Sequence, residues 1–285
     1  MGRRQPVDEP VLQPTLDQLL ARQAKFAGSL RTAGMPDRFY QLIIDDKEFR
    51  EQLVSLTQDR LEWGLPETSS QRFAHHIMGK HFLGVPKVER HLGVTLSDEV
   101  IKGLALIPYS DQELRECAKT HVLWIDMGMS IVALEYHMWL REQELRKGTY
   151  EKLFVHERLR EFRYHEKPYA KHGSATEPRW RLTRYIPVEN SLNHPWEEQC
   201  QLVAPHEEIP SAREIFNLCT LLFLSTGERI FEDIGVRTSD LDVDTKQRVN
   251  VIGFTEGFGI ELTRSEENVP RKDLGIVTTV KPDIS

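Results

Sequence analysis

The last third of this 285-residue chain constrains its fold most, because three short β-rich runs follow one another with turn-rich connections between them. The runs are residues 249–254, 259–263 and 275–280, and glycine, asparagine, proline and acidic residues separate them. Short connections join antiparallel neighbours, whereas parallel strands need a crossover of about a dozen residues or more. The sequence therefore predicts an antiparallel meander rather than parallel βαβ units in this region.

The clearest helix of the chain lies just before these strands. Ser211 is a favourable N-cap, Glu214 stands three residues later as in a capping box, and Gly227 is a natural C-cap. The apolar residues between them recur at helical spacing and predict one buried face. They are Ile215, Leu218, Cys219, Leu222 and Phe223.

The first half of the chain reads mainly as helix. Apolar residues recur at three- and four-residue spacing between residues 14 and 57, and a short helix is expected at 73–78. A longer helix is expected from Ser130 to the break at Gly148. The β-rich run at residues 121–125 predicts one buried strand within this mostly helical half.

These elements predict an α+β protein with three regions. A mainly helical N-terminal region covers residues 1–147, and a basic aromatic connecting segment covers residues 148–178. A C-terminal α+β module with a short-stranded antiparallel sheet covers residues 179–285. Its first strand is expected at residues 180–186, where apolar and polar residues roughly alternate, so one face of that strand should be solvated.

Composition excludes several classes of protein. Three cysteines cannot form a disulfide framework, and no window of about 18 uncharged apolar residues exists to cross a bilayer. The N-terminus turns polar directly after Arg3 and Arg4, unlike a secretory signal. We therefore expect a cytoplasmic protein without membrane contact. A sequence pI near 5.9 argues against a surface built throughout for nucleic acid.

No motif in the sequence predicts catalysis, a metal or a cofactor. Nucleophile-elbow, P-loop and dinucleotide-binding patterns are absent, and no paired cysteines indicate zinc. Cys117 and His121 have helical i, i+4 spacing, but Cys117 is better explained as a small buried apolar residue, and so is Cys219. We therefore predict no catalytic residue, no metal ligand and no cofactor.

Two further clusters of polar residues have simple structural explanations. His75, His76 and His81 could act as acid and base, but the sequence gives them no ordered carboxylate partner, so a solvated or structural role is favoured. Asp240, Asp242 and Asp244 alternate as calcium-loop ligands do, yet Thr245 and Val251 stand where an EF-hand requires glycine and glutamate. We expect a solvated acidic turn there. An enzyme that uses His75, His76 or Cys117 remains a second alternative function.

The first alternative function is association with nucleic acid through the basic middle of the chain. Residues 141–191 carry 12 basic and 8 acidic groups, whereas residues 192–285 carry 9 and 17. Basic groups can neutralise phosphates while aromatic rings stack on bases. Within the basic aromatic segment 141–185 the candidate residues are Arg163, Tyr164, Lys167, Tyr169 and Lys171.

The last third also carries a family resemblance. Residues 237–239 (Arg-Thr-Ser), 248–254 (Arg-Val-Asn-Val-Ile-Gly-Phe) and 268–277 (Asn-Val-Pro-Arg-Lys-Asp-Leu-Gly-Ile-Val) resemble the closing strands of the C-type-lectin-like fold. The similarity is to its formylglycine-generating and sulfatase-modifying branch and to variable proteins of diversity-generating retroelements. It covers about 50 residues, and the chain before it resembles uncharacterised bacterial proteins. The Arg-Gly-Gly-Ser-Trp segment and the reactive cysteines of the enzyme branch have no counterpart here.

The resemblance implies a rigid sheet that presents variable polar loops to a partner. It therefore favours, as the leading hypothesis, a binding or target-recognition protein whose partner is a protein or another macromolecule. The expected ligand-binding residues lie on the loop before the last strand. They are Arg264, Glu266, Glu267, Asn268, Arg271 and Asp273.

Overall fold

The computed structural model describes residues 67–145, 167–171, 177–232, 234–254 and 259–282. The chain divides into two compact units, Met1–Glu62 and Trp63–Ser285, and every described residue belongs to the second. The helices predicted between residues 14 and 57 therefore lie outside the described residues. The described part is α+β, as predicted.

Several helices in the described part begin where a side chain caps the first turn. Thr68 with Gln71, Ser110 with Glu113 and Ser211 with Glu214 each form a complete capping box. The helices are α1 (Ser69–Met78), α2 (Val85–Leu92), α3 (Asp98–Gly103), α4 (Asp111–Cys117), α5 (Ile131–Leu145), α6 (Pro168–Lys171), α7 (Trp196–Gln201) and α8 (Ala212–Thr226). None of the described helices has the length and apolar character needed to cross a membrane.

The first sheet contains five strands in the order β1-β2-β3-β9-β4, in which only β1 and β2 run parallel. Its strands are β1 (Phe82–Leu83), β2 (His121–Asp126), β3 (Arg179–Arg184), β4 (Glu207–Glu208) and β9 (Thr279–Val280). Strands from the predicted N-terminal region and from the predicted C-terminal module thus share one sheet. The division into three regions stays a prediction.

The second sheet has the order β7-β6-β5-β8. Its strands are β5 (Gly235–Asp242), β6 (Gln247–Ile252), β7 (Glu261–Ser265) and β8 (Leu274–Ile276). The meander prediction is correct for β6 and β7, which pair antiparallel, whereas β5, which pairs antiparallel with β6, is not among the predicted runs. It is wrong for the last run, because β8 pairs parallel to β5 and the chain then crosses to the first sheet as β9.

Helix α8 contacts strands of both sheets as well as α2 and α5. Every residue from Ala212 to Leu222 is buried, including Arg213, Glu214 and Asn217. The prediction of one buried apolar face is therefore incomplete, because protein surrounds this part of the helix and buries its polar residues as well. The predicted solvated face of the strand at residues 180–186 is also wrong, since Trp180–Thr183 are all buried between β2, β9 and the core.

Candidate functional site

The loop between β7 and β8, here called the rim loop (residues 266–273), is fastened to the protein through its backbone. The backbone N–H of Trp196 donates to the carbonyl of Glu267 at 2.8 Å, and that of Asn193 donates to the carbonyl of Arg271 at 2.9 Å. At the end of the loop, the N–H of Gly235 donates to the carbonyl of Asp273 at 2.9 Å. These bonds fix the backbone of the rim loop at both ends.

Arg237 in β5 holds the middle of the rim loop. Its side chain is fully buried, and Nη2 donates to the carbonyls of Val269 at 2.7 Å and Glu266 at 3.4 Å. Nη1 donates to the carbonyl of His194 and to Gln199 Oε1, both at 3.0 Å. The guanidinium thus joins the rim loop to the start of α7.

In the described part of the chain, the guanidinium of Arg237 has five acceptors, and all of them are neutral. Four are named above, and the fifth is Ser265 Oγ, which lies 3.3 Å from Nε. Burial, followed by the positive charges of Arg271 and Arg248, lowers the pKa of Arg237 from its usual value. A buried cation is costly unless its donors are satisfied. Loss of the loop carbonyls would leave these donors unpaired, so the loop and Arg237 stabilise one another.

Arg248 in β6 supports the same loop from its outer side. Its guanidinium lies 4.1 Å from the centre of the Trp196 ring, and Nη2 pairs with the carboxylate of Glu267. Nη1 donates to the carbonyl of Ser239 at 2.7 Å. The carboxylate of Glu267 is therefore partly used within the protein.

Three other predicted ligand residues also have partners inside the molecule. Arg264 Nη1 donates to Asp242 Oδ2 at 2.9 Å. Arg271 Nε donates to Asp273 Oδ1 at 2.8 Å; this contact raises the pKa of Arg271 and lowers that of Asp273. By contrast, the exposed side chains of Glu266 and Asn268 make no hydrogen bond or ion pair in the described part of the protein.

Glu266, Glu267 and Asn268 line a polar cleft together with the turn that joins β5 to β6. The cleft has a volume of about 310 Å³, and the turn contributes Thr245, Lys246 and Gln247. Lys246 has a φ of 57°, which turns the chain sharply at this point. Apart from Glu267, the lining side chains make no hydrogen bond or ion pair within the described part of the protein, so there their donors and acceptors are available to a ligand.

The acidic turn predicted next to this cleft is solvated only in part, because the side chain of Asp244 is 67% exposed as expected, whereas the carboxylates of Asp240 and Asp242 are bound within the protein. Asp242 ends β5 with a fully buried carboxylate that accepts from Arg264 and lies 3.4 Å from Lys167 Nζ. Although burial raises the pKa of Asp242, hydrogen bonds from the Asp244 N–H and Lys167 leave it below the usual value. Asp240 accepts from the N–H of Ala212 at 2.7 Å. The expectation fails for these two strand-end carboxylates because they cap and tie other elements.

Of the predicted nucleic-acid residues, Arg163 and Tyr164 lie outside the described residues. Lys167 is engaged by Asp242 and Asp244, and Tyr169 is half-buried, which raises its pKa. Lys171 is exposed at the end of α6. The described residues therefore do not form a continuous basic strip, and the nucleic-acid alternative stays a prediction.

The histidine cluster does have carboxylate partners, contrary to the expectation from sequence. His75 Nδ1 lies 2.9 Å from Glu67 Oε1, and His81 Nε2 lies 2.9 Å from Glu228 Oε2. Glu228 stands 147 residues after His81, so no local pattern could reveal this pair. His76 is exposed at the end of α1.

Cys117, one residue of the alternative enzyme, does not form an activated pair with His121, which lies four residues later. Burial, followed by the charge of Glu207, raises the pKa of Cys117 to about 11, which leaves little thiolate at neutral pH. Burial and the charge of Arg184 lower the pKa of His121 to about 3. Among the described residues, no group of three or more histidine, cysteine or acidic side chains is placed to hold a metal ion.

Sequence reasoning identified the rim loop but missed the residues that hold it. Arg237 and Arg248 occur in the run that carries the resemblance, and Trp196 begins α7. A weak signal in the sequence is that Arg237 is the one charged residue between Asp233 and Asp240. Comparison of the chain with protein-family models, curated proteins and solved structures finds no match.

Proposed function

We propose that the chain is a binding or target-recognition protein and that its partner docks on the rim loop and the polar cleft. One observation carries this proposal: the backbone of the rim loop is tied to buried Arg237, while the cleft side chains of Glu266 and Asn268 have no partner in the described part. An anchored backbone with unused polar side chains is typical of a surface that is prepared for a ligand.

Preorganisation gives this arrangement its thermodynamic advantage. Ordering a flexible loop on binding opposes association, by roughly 0.5–1.5 kcal/mol for each immobilised side chain. In the rim loop, Arg237 and Trp196 already fix the backbone before a partner arrives. Glu266 and Asn268 can therefore form hydrogen bonds with a smaller loss of conformational entropy.

The residues around the cleft favour a protein as the partner. Val269 follows Asn268 and is 43% exposed, and Val243, in the turn before Thr245, is 55% exposed. Protein interfaces combine such apolar contacts with a polar rim that fixes orientation. Glu266 supplies a carboxylate and Asn268 and Gln247 supply amides, a set that matches the backbone and polar side chains of another protein.

The C-type-lectin-like resemblance belongs to this proposal. In that interpretation β5, β6 and β7 are the rigid sheet, and the rim loop is the permissive loop that leads into β8. We also propose a cytoplasmic location, because Cys117, Cys200 and Cys219 are all free thiols, and free thiols persist in a reducing compartment.

The proposal is tested by capture with a matched pair of variants. The tagged full chain is incubated with lysate from the cells that encode it, and captured proteins are quantified by mass spectrometry and then purified for titration. Glu266→Ala combined with Asn268→Ala should weaken the partner's affinity by about 10-fold or more, as expected for central interface residues. Because neither side chain bonds to the described residues, the thermal unfolding temperature of this double variant should match that of the wild type.

The control carries Glu99→Ala and Lys102→Ala on exposed faces of α3, far from the rim loop in sequence. This control should bind the partner as the wild type does. An identical set of captured proteins, with identical affinities, for the wild type and the rim-loop variant would remove the polar cleft as the recognition surface.

A further inference from the structure

A second cleft, of about 490 Å³, shares no lining residue with the polar cleft. It lies between the 3₁₀ turn Gly79–His81, the segment that follows β3, and the loop that joins α8 to β5. Its volume falls in the range of small-molecule sites, about 300–1,000 Å³. This cleft differs from the polar cleft in being largely apolar on one side.

The apolar wall comes from two separate segments of the chain. Ile186 and Pro187 follow β3, and Ile230, Phe231 and Ile234 belong to the loop after α8. Ile186 is 39% exposed, which is high for a large aliphatic side chain in a concave surface. A hydrophobic group placed against this wall would remove Ile186 from water.

The polar end of the cleft is an ion-pair cluster centred on Glu228. Glu228 Oε1 accepts from the ammonium of Lys80, and Oε2 lies 2.9 Å from His81 Nε2. The side chain of Lys80 is 65% exposed. An ammonium has three N–H donors, so Lys80 has donors left for a ligand after pairing with Glu228.

His81 positions this cluster and does not face the solvent. Its side chain is 8% exposed, and its ring packs 4.4 Å from the ring of Tyr185. A backbone hydrogen bond at Ala118 engages the ring in addition to the contact with Glu228. Burial, followed by the charges of Lys80 and Lys87, lowers the pKa of His81.

The loop that supplies the apolar wall is held in a costly conformation. Phe231 has a φ of 62°, which is rare for a bulky side chain. The N–H of Gly253 donates to the carbonyl of Phe231 at 2.9 Å, and a Cβ on Gly253 would lie 1.7 Å from the carbonyl oxygen of Ile230. Such strain persists where the surroundings enforce it and often occurs at binding sites. The wall is therefore preformed.

The remaining charges of the cleft are satisfied internally. Arg229 Nη1 lies 3.6 Å from Glu232 Oε1, and its guanidinium lies over the rings of Phe223 and Phe254 at 5.8 Å and 5.7 Å. Glu228 is neutralised by Lys80. The cleft thus offers an apolar wall and hydrogen-bond donors from Lys80, without an unpaired carboxylate that would select a cation.

We propose that this cleft binds a small amphipathic molecule with a flat apolar body and a single oxygen acceptor group, a carboxylate or an amide carbonyl. The apolar body packs against Ile186, Phe231 and Ile234. The acceptor oxygen receives a hydrogen bond from the ammonium of Lys80. Glu228 and His81 hold that ammonium at the mouth of the cleft.

The probes are indole-3-acetate, indole-3-acetamide and tryptamine, which share one ring system and differ in the polar group. Ligand-observed NMR titration should give saturable binding of the acetate and the amide, with dissociation constants of about 1 mM, as expected for ligands of this size. The relative affinity of these two probes distinguishes a carboxylate ligand from a carbonyl ligand. Tryptamine, which carries an ammonium in place of the acceptor, should bind at least about 10-fold more weakly.

Variants locate the binding to the cleft. Ile186→Asp should abolish saturation, and Lys80→Met should weaken binding at least about 5-fold because the donor is lost. Leu202→Asp is the matched control, since Leu202 is 40% exposed and does not line the cleft. The variant with Glu266→Ala and Asn268→Ala should bind the probes as the wild type does. A negative result for this second cleft is therefore distinct from a negative result for the proposed function of the polar cleft. Thermal unfolding confirms that each variant is folded.

Several results would overturn the proposal. They are the absence of saturable binding by any probe, equal binding of tryptamine, and equal effects of Ile186→Asp and Leu202→Asp in folded proteins. Binding that does not change in Lys80→Met would equally remove the proposed role of the ammonium.

Discussion

Arg213 at the start of α8 and Asp126 at the end of β2 form a bidentate ion pair in the protein interior. Nη1 lies 2.6 Å from Oδ1 and Nη2 lies 2.8 Å from Oδ2, and the two side chains are 8% and 1% exposed. Although burial raises the pKa of Asp126, the bonds from Arg213 hold it below the usual value. The pair fastens the central helix to the first sheet.

Replacement of Asp126 by asparagine should therefore be strongly destabilising. It leaves the buried Arg213 charge without its main partner, and breaking such a pair costs about 3–5 kcal/mol. Urea unfolding of the wild type and of Asp126→Asn measures the difference. The matched control is Asp273→Asn, because the Arg271–Asp273 pair is exposed and should contribute less than about 1 kcal/mol. Equal losses in the two variants would contradict this account.

Arg237→Lys tests the anchoring of the rim loop. A lysine keeps the charge but lacks the fork that reaches His194, Gln199 and Val269 together, so buried acceptors lose their donors. We expect a loss of about 2–4 kcal/mol in the free energy of unfolding. Amide exchange in residues 266–273 should accelerate by about 10-fold or more, as measured by mass spectrometry.

The control for Arg237→Lys is Lys272→Ala, which removes an exposed side chain of the same loop that makes no hydrogen bond or ion pair in the described part of the protein. It should leave both stability and exchange unchanged. Unchanged exchange in a folded Arg237→Lys protein would show that the rim loop does not depend on Arg237.

His121 should make stability depend on pH in the mildly acidic range. Its pKa of about 3 in the folded protein lies below the usual histidine value of 6.5, mainly because of burial, so the unfolded chain takes up the proton first as the pH falls. Stability is then fully present above about pH 6.5 and is lost between pH 6.5 and 3. From pH 7.5 to 5.0 the loss from this group is about 2 kcal/mol.

Urea unfolding at both pH values measures this effect, and His121→Gln should reduce the pH-dependent loss by about 2 kcal/mol. His81, whose pKa is also lowered, retains its own contribution in the same direction. An identical pH dependence in the wild type and in His121→Gln would show that His121 titrates normally in the folded protein.

Gly253→Ala tests the close approach of β6 to the loop after α8. The new methyl would lie 1.7 Å from the carbonyl oxygen of Ile230, so the backbone must move. We expect a destabilisation of about 3 kcal/mol. Gly103→Ala in α3 is the control, because nothing lies within 4 Å of its Cβ position and alanine favours helix, so stability should rise by about 0.5–1 kcal/mol. If Gly253→Ala left the free energy of unfolding unchanged, the loop after α8 would be able to move away from the new methyl group at little cost.

Several elements could be predicted because their signals are local. The capping box at Ser211, the buried strand that begins at His121 and the α8 C-cap at Gly227 all appear as expected. The parallel pairing of β8 could not be predicted. It depends on a contact between Gly235 and Leu274, which no sequence period encodes.

The candidate site also has features that the sequence predicts and features that it does not. The family resemblance pointed to the rim loop, and its polar, proline-containing sequence between strands predicts a position at the surface. The burial of Asp242 and the pairing of His81 with Glu228 were missed, because each partner comes from a distant segment. From the sequence, the charge of these side chains favoured a position in solvent.

The sequence by itself determined where α8 begins and ends and where the buried strand at His121 begins, because a cap or a turn involves residues only three or four positions apart. It also determined that the rim loop is polar. Only the tertiary structure decided which of its residues are available to a partner. Arg237 reaches acceptors 28 to 43 residues away, and a buried guanidinium is stable only where folding brings such distant acceptors together.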